Sequence, residues 1–399
     1  MPDMEATPSL TELFPAVEDG TPDRADRKAV VENIRDATVL LTGAGGSLGC
    51  ALARRLVALP VGRLLCLDSS EQGLVQLRDR LGAGERGPQA VRGRNGAPAW
   101  PEVEYLLADL RLATDRSRAL RPDPDVVVHA AAYKHVPFLE ERPVAAVQNN
   151  LLATANWLGA CRHHASVRRF VLVSTDKAVR PTGVMGRTKA AAERLMRALR
   201  AGTAPGLTAV TVRLCNVFGS RGSVVPRFGR RLRAGEPLPV THPDMERWFV
   251  TAAEAARAVL EALGRAPGTY VPTMGRRVRI DALARRLVRW HRPDGDPEAW
   301  IRYVGLRAGE RLREMLLAPE ERPGTPVEGG LRRAAARTPT RSVEALRRAL
   351  DRLRRDCRAG RAAAVRTHLR CVGEPSAAES APPGSTDEGT VDDDPVDPA

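Results

Sequence analysis

The chain has 399 residues, is 43% hydrophobic and carries a formal charge of +14 at pH 7. Its length suffices for one large or two medium-sized domains with a real core, and no run approaches the roughly 20 apolar residues of a membrane span. The basic residues are almost all Arg, spread over helical stretches with little aromatic interleaving, which argues against a nucleic-acid partner and leaves attraction to a small acidic ligand.

In chain order, the start MPDMEATPSLTELF is acidic and polar, unlike a secretory signal. Residues 1–36 read as a polar arm with one short helix near Arg27–Ile34. Apolar runs then alternate with helical patterns. ATVLLTG (37–43) reads as a buried strand, SLGCALARRLVAL (47–59) as a helix, GRLLCLD (62–68) as a second strand and Glu71–Leu81 as a second helix. Residues 82–101 hold Gly, Pro and Arg without periodicity and read as an inserted loop. VEYLLAD (103–109), DVVVHAA (125–131), RFVLVST (169–175) and LTAVTVRL (207–214) read as further strands with helices between them. Strands that are nearly all apolar and alternate with helices predict an α/β fold with a doubly wound parallel Rossmann sheet.

After Phe218 the pattern changes to short strands and loops, followed by helices Ala252–Leu263 and Ile280–Trp290. This predicts a smaller C-terminal substrate-binding cap. The expected division is an N-terminal arm (1–36), a Rossmann domain (37–218), the cap (219–330), a basic helical extension (331–371) and a tail (372–399). The tail has eight acidic residues and no basic ones, with Pro, Ser and Gly throughout, and is expected to be disordered. Six cysteines show no CxxC and no metal-like spacing, so the expectation is a reduced, cytoplasmic compartment and no metal.

TGAGGSLG (42–49) joins the first strand to the first helix. Gly43, Gly46 and Gly49 keep the turn tight. The backbone N–H groups around Ser47 and Leu48, at the start of the helix, would approach a pyrophosphate. Asp68 ends the second strand, where a carboxylate accepts adenosine ribose hydroxyls and repels a 2′-phosphate, so the cofactor implied is NAD rather than NADP. Asp109, ending the third strand, is a candidate for contact with the adenine.

The chain has four Lys against 58 Arg. On a surface either cation serves, but only an ammonium can lose its proton in a protein. Lys134, Lys177 and Lys189 each follow a predicted strand, in or near the crevice where a doubly wound fold binds ligands; Lys28 lies in the arm. Met185 stands one helical turn before Lys189, on the same face, where a dehydrogenase usually has Tyr. A thioether cannot move a proton. Thr175, Asp176 and Lys177 offer a hydroxyl, a carboxyl and an amine at one strand end, a set that suits more than one proton transfer.

HAAAYKHVPFLE (129–140), STDKAVRPTGVMGRTK (174–189), RLCNVFGSRGSVVPRF (213–228), VTHPDMERWFVT (240–251) and GLRAGERLREMLL (305–317) resemble, in this order, the signatures of a known family. It is the CapD-like polysaccharide-biosynthesis branch of extended short-chain dehydrogenases, the nucleoside-diphosphate-sugar 4,6-dehydratases. Met in place of Tyr is similar to the configuration-retaining UDP-N-acetylglucosamine 4,6-dehydratases. The resemblance covers about residues 37–317. It implies NAD held by Gly43, Gly46, Gly49, Asp68 and Lys189, with Lys189 on the nicotinamide ribose. Asn216, Ser223, Pro226, Arg247, Arg307 and Glu310 would hold the UDP part, Arg for the diphosphate and Glu for ribose hydroxyls. Many relatives carry an N-terminal membrane domain, so a soluble short form is expected here, and a homodimer or larger homo-oligomer. Gly183, Arg187, Cys215 and Ala308 depart from the family pattern, and Arg187 bears on which sugar is accepted.

The reaction implied is oxidation of the sugar at C4, elimination of water across C5 and C6, and return of the hydride to C6. Thr175 would serve the O4 proton, Lys177 the C5 proton and Asp176 the leaving hydroxyl, with the roles of Asp176 and Lys177 open to exchange. A nucleotide-sugar 4-epimerase is one alternative, though it wants the absent Tyr. A catalytically silent NAD-binding regulator is the other, and the retained lysines argue against it.

Overall fold

The computed structural model describes residues 8–14, 24–82, 91–92, 98–99, 101–201, 206–273, 275–319, 321–327, 330–336 and 343–373. Nine strands form the main sheet: β1 (Thr38–Thr42), β2 (Arg63–Asp68), β3 (Glu102–Leu107), β4 (Val126–His129), β5 (Arg169–Thr175), β6 (Thr208–Leu214), β7 (Gly268–Pro272), β8 (Glu321–Val327) and β9 (Leu331–Ala336). Their spatial order is β8-β9-β7-β6-β5-β4-β1-β2-β3. Pairs from β3 through β7 are parallel, and β9 and β8 close one edge antiparallel.

Side chains alternate across this sheet, as a period of two requires. Leu40, Leu65, Val127, Phe170 and Leu172 enter one core. Val39, Leu41, Leu64, Cys66, Val126, Val128, Val171 and Val173 enter the other. Both faces are covered by helices, which is why the strands read as unbroken apolar runs. The strand order reverses direction between β1 and β4, and a crevice opens there above the C-terminal strand ends.

The helices that matter for the site are α1 (Ser47–Leu56), α2 (Val184–Ala201), α3 (Val224–Arg233), α4 (Val343–Arg358) and α5 (Ala362–Gly373). Beneath the crevice, Arg213 of β6 is 2% exposed and pairs with Glu193 of α2 and Glu321 of β8, each at 2.7 Å. Glu193 also accepts from Ser174 Oγ at 2.6 Å. Removing Arg213 would strand two buried carboxylates, at about 3–5 kcal/mol, so the cluster fixes the depth of α2 against β5 and β6.

Three boundaries differ from expectation. Residues 219–330 are not one cap. Helix Ala252–Ala262 packs on the sheet, and Gly268–Pro272 and Glu321–Val327 are strands of it. The cap core uses Phe218, Val225, Phe228, Leu238, Phe249, Leu283 and Leu287. The arm is not wholly polar: helix Arg24–Ile34 is present, and a one-turn helix, Leu10–Leu13, buries Leu10 and Leu13 in that cap core behind a Ser9–Glu12 capping box.

Leu331–Ala336, taken for helical extension, is a strand because it pairs with β7 and β8. Helices α4 and α5 bury Leu346, Leu350, Leu353, Val365, Leu369 and Val372 in the main core. At about 1.5–3 kcal/mol for each buried side chain, an upper estimate, the pair is an integral layer rather than an appendage. Val372 and Gly373, assigned to the tail, finish α5. The rest of the tail, and residues 83–90, 93–97 and 100 of the insertion, lie outside the described residues. No helix among the described residues is long and apolar enough to cross a membrane.

Candidate active site

The glycine turn opens at Gly43, whose φ of +74° is a conformation that L side chains rarely adopt. A Cβ there would stand 2.8 Å from the Ala131 backbone, and one on Gly49 would overlap the Gly43 carbonyl. Gly46 caps α1 without a side chain, so the free N–H groups of the helix start face outward beside a cavity of about 610 Å³. Gly43, Gly46, Ser47, Leu48 and Gly49 line this cavity. A helix start with unscreened N–H groups fits an anionic pyrophosphate, and the volume lies within the range of cofactor pockets.

Asp68 lies at the end of β2, and its carboxylate accepts from Gly45 N and Ser70 N, both at 2.9 Å. It braces the turn from below and is not among the cavity-lining residues. Asp109 is also set apart. Its carboxylate is gripped by Arg111, down to 2.6 Å, and that guanidinium holds it below the usual carboxylate range. The adenine role expected for Asp109 has no free carboxylate to use in this arrangement.

Across the crevice, β5 ends at Thr175 and turns through Asp176–Ala178 into α2. Thr175, Lys177, Met185 and Lys189 all line the cavity. Thr175 Oγ1 and Lys177 Nζ both donate to Asp176 Oδ1, each at 2.8 Å. Lys177 also donates to Asn216 Oδ1 at 3.1 Å. Asp176 itself is 1% exposed and lies beneath these groups, and its Oδ2 is buried with no partner among the described residues. The carboxyl therefore meets the cavity only through its two neighbours.

Gly186 lets α2 close onto this turn, since a Cβ there would overlap the Lys177 carbonyl. One turn along, Lys189 is 5% exposed and donates to the Val173 carbonyl at 2.6 Å. Burial draws its ammonium down to about 8, with Glu193 pulling the other way. Met185 is also 5% exposed, an apolar stopper where a phenol would otherwise stand.

Lys134, Asn216 and Ser223 line the same cavity. Lys134 Nζ reaches Ser220 Oγ at 3.4 Å, and the buried Ser223 Oγ at the start of α3 has no partner. Pro226, Arg247, Arg307 and Glu310 are not brought to the cavity wall. Arg247 donates to the carbonyls of Glu246 and Leu312 at 2.7 and 3.0 Å, tying the 305–317 loop to strand Glu246–Val250. Arg307 N donates to Glu310 Oε2 at 3.3 Å, so this pair closes a turn. Arg187 lies against Gly373 of α5 rather than in the cavity.

Several residues escaped the sequence reading. His129 is fully buried between Thr42 Oγ1 and Thr154 Oγ1, 3.0 Å from each. Burial, helped by the Lys189 charge, pushes it down to about 3, so the ring is neutral. Arg227 on α3 lies within electrostatic reach of Arg307 and Glu310, with a buried Nε left unpartnered. Glu314 approaches Lys177 from the far side of the cavity wall. The GLRAGERLREMLL motif held Glu314, but only the fold gives it a partner.

A family model described as polysaccharide biosynthesis protein matches residues 39–330. The capsular polysaccharide biosynthesis protein CapD of Staphylococcus aureus is 35% identical over 305 residues, which is 75% of this chain and 48% of that protein. The chain thus spans about half the length of such a curated relative. An inverting UDP-N-acetylglucosamine 4,6-dehydratase of Campylobacter jejuni is 34% identical over 226 residues, 55% of this chain and 64% of that one. Among solved structures, the UDP-glucose 4-epimerase of Thermus thermophilus, in complex with NAD, matches with a TM-score of 0.54 at 25% identity, covering 70% of this chain and 90% of its own. The extent of the family match, over the glycine turn, the Thr175–Lys189 segment and the cap, means that this chain belongs to the polysaccharide biosynthesis protein family.

Proposed function

We propose that the protein is an NAD-dependent 4,6-dehydratase of a UDP-N-acetylhexosamine, most simply UDP-N-acetylglucosamine. The observation that carries the reading is the Thr175–Asp176–Lys177 group at the wall of the cavity that also holds Lys189 and the glycine turn, with Met185 where a phenol would be. Gly43, Gly46, Gly49 and the start of α1 would hold the dinucleotide phosphates, with Lys189 at the nicotinamide end and Asp68 bracing the turn. Ser223, Asn216 and Lys134 would meet the UDP-sugar. Arg247, Arg307 and Glu310 would support it from the surrounding loop. A bound NAD would supply a hydride acceptor and donor for sugar C4 and C6, held by the glycine turn and Lys189.

The chain's own groups then have a consistent proton account. Thr175 takes the O4 proton while passing its own to Asp176, along the 2.8 Å hydrogen bond already made. The O4 proton thereby becomes a proton stored on the buried carboxyl. A ketone at C4 acidifies the C5 hydrogen, and the Lys177 amine removes it. The C5–H electron pair forms the C5–C6 double bond, and the C6–O bond breaks. Asp176 returns its proton through Thr175 to the departing hydroxide, which leaves as water. Lys177 gives its proton back at C5.

Turnover in deuterium oxide tests the reading, because the Lys177 proton exchanges with solvent. The product should carry deuterium at C5. Product with none at that carbon sinks the proposal.

A further inference from the structure

Behind Lys177, away from the large cavity, lies a second cavity of about 10 Å³, near the minimum room for one water. Lys177 and Met185 line both cavities and so form the partition between them. The far wall is Glu314, whose side chain is 6% exposed and whose Oε1 is 3.9 Å from Arg247 Nη2. Gly183 and Gly186 line it at the start of α2. The charged groups facing Glu314 are Lys177 and Asp176 from the turn after β5, Arg180 from the same turn and lining the same cavity, Arg247 from strand Glu246–Val250, and Arg311 from its own loop. Burial pushes the Glu314 carboxyl up, and the Lys177 charge draws it back.

The proton account above leaves a gap that this carboxyl fills. Lys177 must accept a proton just after Asp176 has been neutralised. An ammonium formed in a part-buried site needs a negative charge nearby, and Glu314 is the carboxyl that faces Lys177 across the small cavity. We propose that Glu314 is a positioning residue that acts on Lys177 across the small cavity and makes it the stronger base. The catalytic meaning rests on the dehydratase reading, but the electrostatic coupling does not.

The test exploits the scarcity of lysine. Lysine labelling of the full chain by reductive methylation, read peptide by peptide by mass spectrometry over pH, gives the titration midpoint of Lys177 separately from that of Lys134. With Glu314→Gln, which keeps the side-chain shape, Lys177 loses a negative neighbour and releases its proton more readily. Its midpoint should move to lower pH by about one unit, with Lys134 unmoved, and Glu314→Asp should restore most of the wild-type value. A Lys177 midpoint that stays put, or that moves together with Lys134, overturns the proposal. Because labelling needs no turnover, an inactive wild-type protein would count against the dehydratase reading alone.

Discussion

Lys177 and Asp176 share one hydrogen bond of 2.8 Å, and the second oxygen of Asp176 is buried with no partner among the described residues. A buried carboxylate normally satisfies both oxygens. This one keeps Oδ2 in reserve, while Oδ1, which already accepts from Thr175, receives the proton that Thr175 hands over in the proposed cycle. Removing the amine removes the base. Lys177→Ala should lower the dehydration rate on the order of 10³-fold while NAD still binds, since the glycine turn and Lys189 are untouched. Steady-state rates and NAD titration by fluorescence check both halves.

Met185 makes the complementary case. If a thioether moves no proton, only its shape matters. Met185→Leu conserves volume, and such swaps cost under about 1.5 kcal/mol. Its kcat should stay within roughly threefold of wild type. A fall as large as that of Lys177→Ala would give Met185 a chemical role that the account denies it.

The parts of this site that the sequence disclosed are those built from near neighbours. The glycine turn, the strand-end trio and the Met185–Lys189 pair each lie within one strand, turn or helix, so spacing alone places them together. The parts that escaped depend on distant segments or on competition between partners. Glu314 meets Lys177 only because the 305–317 loop folds back over the turn after β5. Asp109 is paired with Arg111, two residues on, a contact that spacing does not announce. Residues 252–272 and 321–327 were assigned to the cap because they follow its first strands, but their apolar faces fit the sheet. Arg247 was expected to hold the diphosphate, and the fold shows its Nη1 also donating to two carbonyls, a contact that depends on the distant 305–317 loop.

His129 should set part of the acid sensitivity of the fold. The native ring stays neutral down to about pH 3, while an unfolded histidine protonates below about 6.5. The unfolded state therefore binds the extra proton first, and stability falls as pH drops from 6.5 toward 3, by up to about 1.4 kcal/mol per unit. Between pH 6.5 and 5, where carboxylates contribute little, His129→Gln should flatten the slope in urea-unfolding experiments. An unchanged slope would mean that the ring is already charged in the native state.

Arg180, in the turn between Lys177 and α2, has a φ of +42° and an exposed side chain. Left-handed backbone costs an ordinary L-residue roughly 1–2 kcal/mol, and Asn bears it better. Arg180→Asn should raise the urea midpoint, by roughly 0.5–1 kcal/mol in stability, at unchanged slope. A lower midpoint would show that the Arg180 side chain contributes more than its backbone strain removes.

The central claim is that strand-end hydroxyl, carboxyl and amine groups expel water from a UDP-sugar. The most direct measurement is the mass of the product formed by the full chain with NAD and UDP-N-acetylglucosamine. A nucleotide sugar lighter by one water is the predicted result. A product of unchanged mass with the C4 configuration inverted would contradict it and make the protein an epimerase.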